Sequence, residues 1–185
     1  MRAAALTILA LLSVAACAST ERQRAARLAN PAPCPNIFVL DLASRFVEFG
    51  GEDPSLEAVK FSGEIDDVQT SCRYYADVPI RADVDLALSV GRADASAAET
   101  INIPFFVAVM RTNRDVIEKE VFEVPVTFRA GERVVSLERS IDEIVIPRRG
   151  ENTSGTNFEI SIGFQLTEAQ YRFNRSGKSL KFPES

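Results

Sequence analysis

The sequence predicts an all-β chain: an antiparallel two-sheet sandwich, immunoglobulin-like in architecture, with a short C-terminal helix. Three observations carry this. Apolar residues recur with period two through most of residues 34–166, clusters of Gly, Asn, Pro and Ser separate those runs, and no helical stripe of comparable length competes. Many strands without intervening helices must bury their apolar faces against another sheet, which is the sandwich solution. A closed barrel is the alternative. Tryptophan is absent, so the Cys-Trp-Cys signature of true immunoglobulin domains is missing and the likeness is one of architecture.

Alternation is clearest in Val78–Val90. There Ile80, Ala82, Val84, Leu86, Leu88 and Val90 share one parity, and Arg81, Asp83, Asp85 and Ser89 share the other. Such a strand has one wet face. The same reading gives strands near Ile37–Leu40, Arg45–Phe49, Val59–Ile65, Val68–Tyr74, Ile101–Met110, Ile117–Phe128, Val134–Ile146 and Phe158–Leu166. Pro125 assigns its strand to an edge or a bulge, because a central strand needs the amide that proline lacks. Ile103–Val109 is apolar on both parities, so its outer face needs a cover. At the end of the chain Thr167 Glu168 Ala169 Gln170 matches a capping box and predicts a helix over Thr167–Phe173.

The N-terminus departs from this pattern. Met1 Arg2 is positive, and Ala3–Leu12 is apolar apart from Thr7, too short for the roughly 20 residues of a spanning helix. Val14 Ala15 Ala16 Cys17 follows. This stretch resembles the lipobox of bacterial lipoproteins, in which two small residues precede an invariant cysteine. The resemblance covers only residues 1–17. It implies cleavage before Cys17, acylation of its thiol with diacylglycerol and usually of the new amino terminus with palmitate or a similar chain. No cofactor other than this covalent lipid is expected. Ala18 and Ser19 stand where the family's inner-membrane members commonly carry Asp, which favours the outer membrane, with the domain facing the periplasm. An ordinary cleaved signal is the alternative.

The domain plan is then a signal peptide at 1–16, a lipidated Cys17 with a flexible tether to residue 33, and a sandwich domain over 34–185. Asn30 Pro31 Ala32 Pro33 stops any helix begun in the tether. The chain has three cysteines, Cys17, Cys34 and Cys72. If the lipid occupies the first, as the resemblance implies, Cys34 and Cys72 remain to form a disulfide in an oxidising periplasm. A redox-active pair is less favoured, because such pairs usually stand as Cys-x-x-Cys near a helix start.

Composition excludes several classes of chemistry. Histidine is absent, which removes Ser-His-Asp and Cys-His nucleophiles and His-ligated zinc or haem. The net charge of -5 argues against nucleic acid as a partner. Glu64, Asp66 and Asp67 lack calcium-loop spacing, and Asp83 with Asp85 is explained by alternation alone. The sequons at Asn152 and Asn174 are chance matches in a bacterial lipoprotein.

Two function classes remain. The leading one is a non-enzymatic, lipid-anchored accessory protein that binds an envelope protein or peptidoglycan. The other is a periplasmic hydrolase or small-ligand carrier with a site built without histidine. For the binder, the expected contact surface is the C-terminal segment. Tyr171, Arg172, Phe173, Arg175, Lys178 and Lys181 set four cations beside aromatics, with no Asp or Glu between residues 172 and 181. Long cationic stems next to rings offer both apolar area and charge-assisted hydrogen bonds. The alternative reading is that the aromatics cap the open end of the sandwich, with the charges solvated around them.

Overall fold

The chain divides into two units, 1–33 and 34–185. The computed structural model describes residues 33–51, 54–74, 78–150 and 153–178. Cys17, the tether up to residue 32, Asn152 and Lys181 lie outside the described residues.

Among the described residues eight strands build the second unit: β1 (Asn36–Val39), β2 (Arg45–Phe49), β3 (Val59–Arg73), β4 (Ile80–Arg92), β5 (Glu99–Arg111), β6 (Val116–Phe128), β7 (Val134–Ile146) and β8 (Phe158–Phe164). One helix, α1 (Glu168–Arg175), follows. The strands form two four-stranded sheets, ordered β1-β8-β5-β6 and β2-β3-β4-β7. The two ladders are separate, which makes the architecture a sandwich and not a barrel. Pairing is antiparallel except between β1 and β8, which run parallel. Alternation reports only which face of a strand is buried, so it carries no signal for that one parallel pair.

Side chains of one parity from each sheet meet in the middle. Phe61, Ile80, Leu86, Leu88 and Val90 from one sheet face Phe105, Phe128, Ile160, Ile162 and Phe164 from the other, all almost fully buried. At about 25 cal/mol per Å² of apolar surface, this burial is the main favourable term for the fold. Phe46 lies edge-on to Phe164, 4.9 Å between ring centres, and its ring covers Gly63 on the neighbouring strand. A Cβ on Gly63 would sit 2.2 Å from that ring, so only glycine fits there.

Alternation alone divides residues 59–74 into two strands. The structure shows one strand with a bulge between Ile65 and Asp67. The extra residue switches the buried parity from Phe61 and Ile65 to Val68 and Cys72, which in sequence mimics a strand break. Pro125 sits on β6, an edge strand, as its missing amide requires.

The outer face of β5 also has its cover. Phe106 and Ala108 are buried against Ala43, from the 3-10 turn Asp41–Ala43, and against Leu166. Lys119 extends over the Phe106 ring at 4.3 Å and donates to Gln165 Oε1 at 2.8 Å. Gly163 is obligatory for this packing, because a Cβ there would lie 2.6 Å from that of Ala43.

Candidate functional site

Cys34 and Cys72 form a disulfide, with their Cα atoms 5.6 Å apart. Cys34 lies two residues before β1 in one sheet and Cys72 lies near the end of β3 in the other, so the bond ties the sheets together. A polar cluster occupies the same end of the sandwich. Arg148 donates to Thr153 O at 2.7 Å and to Val78 O at 3.0 Å while stacking on Tyr74, whose hydroxyl accepts from Gly155 N at 2.8 Å. These bonds fix the loops there and leave the arginine committed to structure.

The C-terminal segment is divided between core and surface. Thr167 caps α1, and its side chain and that of Gln170 complete the capping box that the sequence predicts. Phe173, expected on the contact surface, is instead 9% exposed and meets Phe49 edge-on, with ring centres 5.1 Å apart. The reason is helical period: Phe173 and its neighbour Asn174 fall on the face that docks against β2 and the Asp41–Ala43 turn. Asn174 Nδ2 donates to Leu42 O at 2.9 Å and Arg45 O at 2.7 Å. Tyr171, Arg172, Arg175 and Lys178 remain exposed. Arg172 is paired with Glu168 one turn earlier, so part of the expected positive surface is neutralised within the helix.

The acidic candidates serve the sheet. Asp66 Oδ2 accepts from Ser89 Oγ at 2.7 Å, Asp67 from Gln69 Nε2 at 2.9 Å, and Asp85 from Ser140 Oγ at 2.6 Å. Glu64 lies 3.5 Å from Arg45. Asp94, in the loop before β5, accepts from Ser96 N at 2.9 Å. That backbone N–H, and then the Ser96 hydroxyl, hold its carboxyl below the ordinary value of 3.8. Among the described residues, no group of three or more His, Cys, Asp or Glu is placed to hold a metal ion.

A cleft that sequence reading did not identify opens along the flank where β6 and β7, the edge strands of the two sheets, face each other. Its volume is about 390 Å³. Val107 and Val109 of β5, Phe122 of β6, and Ile141 and Ile144 of β7 form an apolar floor, while Glu118, Glu120, Asp142 and Glu143 line the opening. Glu118 and Glu120 are register partners of Val109 and Val107, so both carboxylates stand on the core-facing side of β6. Both remain exposed, in the lining of the cleft. Inward-pointing charge of this kind is a recognised way to keep an edge strand from pairing indiscriminately.

The β7 wall is shaped by a second bulge, opposite the step between Ala82 and Val84. It puts Glu143 at φ 60°, a conformation unusual for a residue with a side chain. Asp83 holds it there by accepting from Glu143 N at 3.0 Å, and Arg81 Nη1 pairs with Glu143 Oε1 at 3.1 Å. Among the described residues, no ion pair involves Glu118, Glu120 or Asp142. The arrangement combines apolar area with negative charge, which suits it to hold a segment that is part apolar and part cationic.

Fold and cleft together define a disulfide-tied β-sandwich with one open flank. No protein-family model and no curated protein sequence matches the chain. A solved structure, the variable (V) domain of the Streptococcus agalactiae AgI/II polypeptide BspA, aligns over 67% of this chain and 73% of that chain, at 9% identity and a TM-score of 0.16. At that score the alignment carries no argument about fold or function.

Proposed function

We propose that the protein is a lipid-anchored accessory of the bacterial cell envelope, held through Cys17 and working by binding another protein on the periplasmic side of the outer membrane. The observation that carries this reading is the Cys34–Cys72 disulfide. Disulfides persist in oxidising compartments outside the cytosol, which agrees with the export signal and lipobox-like stretch at Met1–Cys17. An anchor on a leash raises local concentration at the membrane, so a binder so held gains apparent affinity without further contacts. The open flank of the sandwich supports binding as the mode of action.

Fractionation of envelopes tests the address. Wild-type protein is expected in the outer-membrane fraction, and the Cys17→Ser variant as unprocessed or soluble material. Identical migration and fractionation of the two would remove the anchor. Crosslinking in intact envelopes tests the binding role, and a reproducible protein partner is the expected result. Capture of peptidoglycan alone would replace it with a polymer-binding role.

A further inference from the structure

We infer that the cleft between β6 and β7 is a docking site for an extended, cationic segment of a partner protein, which adds to the free edge of β6 as a further strand. The inference deepens the protein-binding reading above and does not depend on the lipid anchor. Three features lead to it.

The first is the free edge itself. Among the described residues β6 ends its sheet, so one side of its backbone pairs with β5 and the other has no strand beside it. Unpaired N–H and C=O groups along such an edge are a template for an incoming strand. Pro125 is tolerated because its nitrogen faces away from β5, and it therefore ends the template. A bulge at Ile117, where the partners of Val109 and Met110 step from Glu118 to Val116, begins it. The usable stretch is residues 118–124.

The second is the vacant interior position. A strand added to β6 would lie across the gap from β7 and project alternate side chains onto Phe122, Ile141 and Ile144. Val121, 49% exposed on the opposite face of β6, would gain an apolar neighbour.

The third is charge. Directly opposed residues on paired strands have Cβ atoms roughly 4.5–5.5 Å apart, close enough for charge to select the partner. Glu118 and Glu120 call for cations at two successive inward positions, and Phe122 calls for an apolar side chain at the third. Asp142 adds to the same field from the β7 wall. A second copy of this chain is the wrong occupant, because antiparallel pairing of two β6 edges sets inward positions opposite inward positions, and that parity of the edge, Glu118, Glu120, Phe122 and Val124, holds no cation and in one register puts Glu118 against Glu120.

The test uses the full chain carrying Cys17→Ser in solution, so the outcome is independent of anchoring. The probe is a fluorescent seven-residue peptide with Lys, Lys and Phe at its even positions and Val at its odd ones. Saturable binding that weakens as salt is raised is expected. Changing Glu118 and Glu120 together to Lys is expected to weaken it at least tenfold and to create binding of the matching peptide with Glu in place of Lys. N-methylation of alternate backbone amides in the peptide is expected to abolish binding to the unaltered cleft, an arm that holds even if the double variant does not fold. Absence of binding, an affinity indifferent to the charge reversal, or equal binding of the N-methylated peptide would each overturn the proposal. Loss here alongside protein capture from envelopes would leave the binding role standing and remove only this site.

Discussion

Arg92 shows how much a single side chain can organise. It is 7% exposed and has no carboxylate partner among the described ion pairs. Its guanidinium donates to Glu132 O at 2.9 Å, Ala97 O at 2.7 Å and Arg129 O at 2.6 Å while lying 4.8 Å from the centre of the Phe128 ring. One planar cation thereby fixes two loops at one end of the sandwich, which an ammonium cannot reproduce with the same geometry. Arg92→Ala is expected to cost about 3 kcal/mol, since carbonyls lose charge-assisted donors in a partly buried site. Arg92→Lys is expected to recover little of that loss in urea unfolding. A lysine variant as stable as wild type would show that charge alone matters there. None of this was legible beforehand: Arg92 follows the last apolar residue of an alternating run and reads as a strand end. Its burial depends on the 93–98 and 129–132 loops folding over it.

At the scale of elements, parity changes carry information that simple alternation does not. Along β3 and β7 the apolar parity flips at a bulge: Ile65 to Val68 in the first, Ile141 to Ile144 in the second. Along β6 it flips for another reason. Ile117 and Val121 are apolar on odd positions, Phe122, Val124, Val126 and Phe128 on even ones, and the even positions Glu118 and Glu120 mark where the inner face leaves the core. The strands were therefore legible to within two residues at their ends, except that the bulge in β3 split it in two, and the cleft was written in the same pattern as a charged stretch on a core-facing parity. Recognising it needs β7 in view, because only the opposite wall distinguishes an open flank from a solvated strand end. The helix offers the complementary case. Its cap was explicit in Thr167 and Gln170, whereas its docking face depended on a turn at Asp41–Ala43 far away in the chain. Phe173→Ala is expected to destabilise the fold by about 3 kcal/mol through the cavity it leaves. Replacing Arg172, Arg175 and Lys178 with Gln is expected to shift stability by less than about 0.5 kcal/mol, as exposed charges do. Parallel denaturation curves compare the two, and a larger effect from the charges would reverse the division of this segment into core and surface.

For the whole molecule, the two flanks of the sandwich are built differently. On one, β1 and β2 belong to different sheets and are joined by the Asp41–Ala43 turn, with α1 packed against β2 and that turn and the disulfide crossing between the layers. On the other, β6 and β7 face each other across a cleft with Glu118, Glu120 and Asp142 in its lining. Reducing the disulfide is expected to lower the unfolding free energy by about 4 kcal/mol in the chain-entropy account, given the 38 residues separating its cysteines. Denaturant midpoints measured with and without reductant check this, and coincident curves would contradict it.

The position of that crosslink also governs how the domain responds to a pull. Cys34 lies two residues before β1, a four-residue strand that would be the first to peel away if tension reached it alone. With the sulfurs joined, traction arriving from the N-terminal side is shared at its point of entry with the fifteen-residue β3, deep in the other sheet. Extension must then shear two layers together instead of unzipping one edge.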